Sequence, residues 1–214
     1  FNHTGTRVPG WPKRLVNNID PTIKAPSPAL ADITGDGVPE IFAVSVHDDH
    51  HTELGWLDVN AAWLPGWPVT FDGHSQAGAT VGDLDGDGDF EVVLPQESGR
   101  IDAWHHDGTP VDGFPLITSE FARSAASLLD IDKNGQLDLI FVGWDRNVYI
   151  WEFPTAYDPS LTPWYTYMHD FRRTGNPSTL DWVVGVDDEE LLPAGRVFRL
   201  DENWPNPFNP STNI

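Results

Sequence analysis

Apolar residues come along this chain in short runs, each broken by polar, glycine-rich or proline-rich stretches. No stretch keeps helical spacing for three turns. In residues 28–71 the texture is that of strands. Residues 28–32 lead into an acidic segment, and Glu40–Val46 is rich in apolar and β-branched residues. A polar turn at 47–53 follows, then apolar stretches at 54–59 and 62–71. The pattern predicts four short strands in about 50 residues.

That unit recurs. Residues 31–41, 82–92 and 129–139 share one shape, and their leading aspartates, Asp32, Asp83 and Asp130, lie 51 and 47 positions apart. A second marker recurs out of phase with the first, at 8–12, 64–68 and 111–115. Its Trp11, Trp67 and Phe114 are 56 and 47 apart. Two markers with one period point to a repeat architecture, and four strands per repeat is the unit of a β-propeller blade. The expected fold is all-β, with blades of four antiparallel strands and Asp-rich loops. Three blades and a leftover strand at the N-terminus make a partial propeller, because closure takes about four or more blades.

The acidic loops carry the chemistry. Each sets side-chain oxygens at positions 1, 3, 5 and 9 with glycine at position 6. The first offers Asp32, Thr34, Asp36 and Glu40 around Gly37, and the second Asp83, Asp85, Asp87 and Glu91 around Gly88. The third offers Asp130, Asp132, Asn134 and Asp138 around Gly135. A hard cation such as Ca²⁺ takes six to eight oxygens, and short carboxylates on a tightly curled loop supply them. The glycine allows a turn sharp enough to bring in the carbonyl of position 7, which is Val38, Asp89 or Gln136. Transition metals would want imidazole or thiolate, which the loops lack. An EF-hand would need a bidentate Glu at position 12, where Ala43, Leu94 and Phe141 stand inside the next strand. Two to three calcium ions are expected, bound tightest in the second loop with its four carboxylates.

These loops resemble those of the FG-GAP/VCBS family of calcium-loop β-propellers, such as integrin-α-type blades. There Asp-x-Asp-x-Asp-Gly-x-x-Asp joins the first two strands of a blade. The resemblance covers roughly residues 8–175. It departs at Thr34, which replaces an Asp or Asn, and at Glu40 and Glu91, which replace the final Asp.

Other candidates are weaker. His47, Asp48, Asp49, His50 and His51 form a metal-like cluster in a turn and read as solvated. His105 to Gly108 reads as a type I′ turn around Asp107 and Gly108. Trp11, Trp67 and Phe114 recur once per repeat, and Trp56, Trp104 and Trp151 share a strand-like setting. All six read as packing residues, not sugar platforms. Residues 164–175, with His169, Asp170, Arg172 and Arg173, resemble a segment that closes secreted bacterial propellers, and read as a last strand with a buried Arg–Asp pair.

Composition narrows the function. The chain has 214 residues and a net charge of −21, which argues against nucleic-acid backbones and anionic lipid. There is no cysteine, so disulfides and thiolate chemistry are excluded. No stretch reaches the ~20 apolar residues of a membrane helix. No nucleophile, zinc or phosphate-loop motif appears, so no enzyme activity is assigned within this chain.

The expected organisation is repeats at 1–175, a linker at 176–197, and at 198–214 the beginning of a further domain. Residues 198–212 resemble the opening of the immunoglobulin-like C-terminal sorting domain of type IX secreted bacterial proteins, with Trp204 in place of the usual Tyr. Both ends read as cut mid-motif. The leading expectation is a non-catalytic, calcium-binding propeller module of a secreted or cell-surface bacterial protein, serving adhesion, assembly or ligand contact. One alternative is an accessory region of a larger secreted protease or polysaccharide-degrading enzyme. Another is a subunit of an extracellular self-assembling polymer. Candidate partners are upstream blades, other copies of the chain, or an extracellular protein or glycan.

Overall fold

The computed structural model describes residues 3–15, 26–47, 51–170 and 173–175, all within one compact unit, Phe1–Asp181. The expected linker at 176–197 and the sorting-domain opening at 198–214 lie outside the described residues. Three antiparallel sheets follow one another in chain order. The first contains β1 (Ala29–Ala31), β2 (Glu40–Val46), β3 (His51–Leu57) and β4 (Val69–Asp72). The second contains β5 (Thr80–Gly82), β6 (Glu91–Pro95), β7 (Arg100–Trp104) and β8 (Leu116–Ile117). The third contains β9 (Ser127–Leu129), β10 (Gln136–Val142) and β11 (Val148–Ala156). Within each sheet every strand pairs with the next, and there is no α-helix among the described residues.

One register governs all three sheets. Ala31 pairs with Glu40, Gly82 with Glu91 and Leu129 with Asp138, so the ninth residue of each acidic loop faces the residue just before the loop. The sheets pack face to face through two apolar clusters. Phe42, Val44, Leu54 and Trp56 of sheet 1 meet Val81, Val92, Leu94 and Trp104 of sheet 2. Val93, Ile101 and Ala103 of sheet 2 meet Leu128, Leu137, Leu139 and Phe141 of sheet 3. Successive β6 residues thus enter different clusters. This is why Val92, Val93 and Leu94 form an unbroken apolar run where a half-exposed strand would alternate.

The strands differ from the sequence expectation in several places. β3 starts at His51, because Thr52 and Glu53 pair with β2 on one side and β4 on the other, so the turn before it is shorter than its polar composition suggested. Of the expected strand at 62–71 only Val69–Asp72 forms, since Pro65, Gly66 and Pro68 cannot sustain a ladder. Residues 3–15 form no strand. The peptide bonds Trp11–Pro12, Trp67–Pro68 and Phe114–Pro115 are all cis, so the second marker repeats in geometry as well as in sequence.

Trp56, Trp104 and Trp151 all lie in strands and pack against the core, as expected, but not all at one register position. Trp104 pairs with Val92 and Trp151 with Leu139, equivalent positions, but Trp56 pairs with Phe42, one residue out of step. A one-residue slip sends a side chain to the other face of a sheet. Trp56 and Trp104 therefore reach the same cluster from opposite sheets.

The segment after β11 is not a last strand. It passes through a 3₁₀ turn, Pro159–Leu161, and then bridges two sheets. Val81 N–H donates to Trp164 O (2.8 Å) and Leu128 N–H to Tyr165 O (2.8 Å), which ties β5 and β9 together. Buried Asp170 accepts from Thr174 N (3.0 Å) and Oγ1 (2.6 Å) and bonds His169 Nδ1 (3.2 Å). Arg173 is exposed, and Arg172 lies outside the described residues.

Candidate metal centres

Each acidic loop joins the first two strands of its sheet and is held by its own side chains. The first carboxylate accepts backbone N–H groups on both oxygens. Asp32 takes those of Asp36 (3.0 Å) and Gly37 (2.8 Å), Asp83 those of Gly86 (2.6 Å) and Gly88 (3.0 Å), and Asp130 those of Asn134 (3.1 Å) and Gly135 (2.8 Å). The fifth side chain then caps the seventh N–H: Asp36 to Val38 (2.7 Å), Asp87 to Asp89 (2.8 Å) and Asn134 to Gln136 (2.8 Å). The ninth reaches back to the second. Glu40 Oε2 accepts from Ile33 N (3.0 Å), Glu91 Oε2 from Leu84 N (2.7 Å) and Asp138 Oδ2 from Ile131 N (3.0 Å).

The curl requires left-handed backbone at position 6, where Gly37, Gly88 and Gly135 have φ of 86°, 94° and 88°. A Cβ there would meet nothing within 4 Å, so the backbone conformation alone selects glycine. Position 4 is left-handed too, in Gly35, Gly86 and Lys133. The sequence reading missed this second requirement because the third copy meets it with a lysine.

The loops differ in what they assemble. Asp83, Asp85 and Asp87 bring carboxylate oxygens within 4.8 Å of one another, as do Asp130, Asp132 and Asp138, and each trio could hold a metal ion. Among the described residues the first loop forms no such trio. Thr34 stands where the others carry Asp85 and Asp132, and its hydroxyl lies 3.4 Å from Glu40 Oε1. The donor set of the second and third loops is oxygen from carboxylate and amide on a preformed turn, which fits a hard cation. Like charges held this close repel, and a divalent ion would relieve that repulsion.

Residues outside the loops also approach the second one. His105, just after β7, places Nδ1 3.1 Å from Glu91 Oε1 and 3.9 Å from Asp85 Oδ2. His106 Nδ1 lies 3.5 Å from Asp89 Oδ2. Glu91 is fully buried, and that burial pushes its carboxyl up to about 7 against the opposing pull of Leu84 N–H and His105. Glu40 is raised as well, again by burial.

Counting the same distance beyond β11's counterpart of Trp104 leads to Glu152, which accepts a hydrogen bond from Asn134 Nδ2 in the third loop. In the sequence His105 and His106 stand in a turn, and only the 47-residue shift from His105 to Glu152 marks the position. The turn itself differs from expectation. Only Gly108 has positive φ, and Asp107 caps Thr109 N (3.0 Å), so it is not type I′. His47 and His51 stack with ring centroids 3.9 Å apart, and the rest of that cluster, 48–50, lies outside the described residues.

The two markers meet at the joins between sheets. Trp67 Nε1 donates to His106 O (2.8 Å) in the turn after β7, and Trp11 Nε1 donates to Val59 O (2.8 Å) in the turn after β3. These are the same contact one repeat apart. Trp67 is buried, while Trp11 and Phe114 are half-buried. Phe114 has no N–H to offer and stacks on Phe153 (6.1 Å) instead.

Residues 32–94 match the family model described as an FG-GAP-like repeat, a span that runs from the first acidic loop through the second into β6. Such repeats are non-catalytic and typical of extracellular proteins. No curated protein matches the chain. Among solved structures it is similar to the crystal structure of the computationally designed Ika4 protein, at 14% identity and a TM-score of 0.26, over 66% of this chain and 98% of that one. Among the described residues no helix is long and apolar enough to cross a membrane.

Proposed function

We propose that this chain is a non-catalytic calcium-binding module built of propeller blades, belonging to a secreted or cell-surface protein and serving adhesion, assembly or ligand contact. The observation that carries this reading is the hydrogen-bonding shared by three acidic loops in one register, with the first side chain on the sixth N–H, the fifth on the seventh and the ninth on the second, and two of the loops gather three carboxylates within 4.8 Å. The second loop would hold its ion through Asp83, Asp85, Asp87, Glu91 and the carbonyl of Asp89. The third would use Asp130, Asp132, Asn134, Asp138 and the carbonyl of Gln136. The first, with Asp32, Thr34, Asp36, Glu40 and the carbonyl of Val38, would bind most weakly, since Thr34 removes a charge. Calcium here is structural: it neutralises the carboxylates that already fold the loop. The stretch 176–197 is read as a linker and 198–214 as the beginning of a C-terminal sorting domain.

Calorimetric titration with calcium tests the reading. Two to three ions per chain are expected, with one site lost in Asp85→Asn and a different one in Asp132→Asn. Absence of calcium binding, or unchanged stoichiometry in both variants, would overturn it.

A further inference from the structure

Because the sheets share one register, residues of the third have counterparts in the first two. Phe42 pairs with Trp56 and Val44 with Leu54 in sheet 1, and Val93 with Ala103 and Pro95 with Ile101 in sheet 2. The same positions in sheet 3 are Ile140 with Ile150 and Val142 with Val148. In the first two sheets these side chains are buried because the next sheet covers them. In the third, Val142, Val148 and Ile150 are 54%, 64% and 53% exposed, and Trp144 in the adjoining turn is 59% exposed. A contiguous apolar sheet face of this kind marks a contact surface.

The edge beside that face is also open. Sheets 1 and 2 have four strands, but among the described residues sheet 3 has three, with β11 at its edge. Residues 3–15 are the matching piece. They sit on sheet 1 as the segment leading to β4 sits on sheet 2, with Trp11 on Val59 O and Gly10 against Asn60 O, as Trp67 is on His106 O and Gly66 against Asp107 O. Residues 3–15 therefore occupy the place of a segment leading to a fourth strand, and among the described residues sheet 3 shows three strands without one. Charge agrees. Residues 3–15 carry Arg7, Lys13 and Arg14 and no carboxylate in a chain of net charge −21, and the sheet 3 face is flanked by Glu152 and the third acidic loop.

We propose that the third sheet docks on the first sheet of a second copy, whose residues 3–15 add to the β11 edge as its fourth strand. The contact is head-to-tail, so it closes into a ring or extends into a filament, and its strand addition is a known mode of recognition. It does not depend on the calcium reading.

Light scattering on the full chain in calcium buffer tests it. The mass should rise above 23.8 kDa with concentration. Ile150→Lys, at an exposed site, should stay monomeric with its melting temperature unchanged, and Trp11→Ala should also stay monomeric. Mixed together, the two variants should form a dimer and nothing larger, because one retains the open sheet and the other the segment. A wild-type mass of one chain at every concentration would overturn the proposal, as would a mixture that stays monomeric. So would an Ile150→Lys that associates like wild type. A monomeric wild type with a destabilised Ile150→Lys would mean that the chain covers this face itself, which also overturns it.

Discussion

Gly10, Gly66 and Gly113 occupy one position of a repeated motif with φ of 79°, 84° and 86°, yet they meet different surroundings. A Cβ on Gly66 would lie 1.7 Å from Asp107 O, and one on Gly10 would lie 2.1 Å from Asn60 O. At Gly113 it would meet nothing within 4 Å. Alanine in this left-handed conformation costs about 1–2 kcal/mol by itself, and Gly113→Ala should cost that and no more. Gly66→Ala must in addition push away the turn after β7, since real carbon atoms do not approach a carbonyl oxygen so closely. That retreat breaks the Trp67–His106 hydrogen bond, about 1 kcal/mol, and loosens packing between sheets 1 and 2. The total should be about 3–5 kcal/mol, in the range of backbone strain combined with disrupted packing. Urea unfolding at fixed calcium, followed by tryptophan fluorescence, measures both variants. Equal destabilisation of Gly66→Ala and Gly113→Ala would refute the claim that this glycine admits the neighbouring repeat.

Three further outcomes follow from the geometry. Trp67→Phe should cost about 1 kcal/mol more than its loss of packing by orphaning the carbonyl of His106, whereas Trp56→Phe should show only the loss of packing in the same unfolding assay, since the buried indole N–H of Trp56 has no partner to lose. Burial opposes the ionisation of Asp170, but the Thr174 hydroxyl and N–H and His169 outweigh it and hold the carboxyl below the usual range. Its contribution is fully present above the unfolded value near pH 4 and is lost as pH falls through the lower folded value, so the stability gap between wild type and Asp170→Asn should be widest near neutral pH and narrow progressively as pH falls below about 4. Glu91 works in the opposite sense. Its raised carboxyl makes the calcium-free protein lose stability as pH rises from the unfolded value towards about 7, while calcium must displace that proton to bind. The rise in melting temperature on adding calcium should therefore be larger at about pH 8 than at about pH 6, and a rise independent of pH would contradict the placing of Glu91 in the site.

The repeat, the four-strand texture and the acidic loops were legible in the sequence because each rests on local chemistry. Alternating carboxylates and a left-handed glycine define the loop, and proline and glycine define the second marker. β2 was legible to the residue, since its start is fixed by Glu40 pairing back across its own loop. What stayed hidden depends on distant partners. The contact of His105 with Glu91 joins residues 14 apart through a strand pairing, and nothing local distinguishes it from a turn. The path of residues 161–165 between β5 and β9 is set by hydrogen bonds to Val81 and Leu128, far back in the chain, so an isolated aromatic stretch read as one more strand. The strand setting of Trp56 and Trp104 is legible, but spacing alone does not reveal the one-residue difference in register between them.

The central claim is that calcium is part of the fold, and the melting temperature in calcium against excess EDTA tests it most directly. At free calcium ~100-fold above its dissociation constant, each site adds about 2.7 kcal/mol. For a unit of this size that is about 5–10 °C per site. The account predicts a clear fall on chelation, restored by added calcium and reduced in Asp85→Asn and Asp132→Asn. An identical melt in calcium and in EDTA would contradict it.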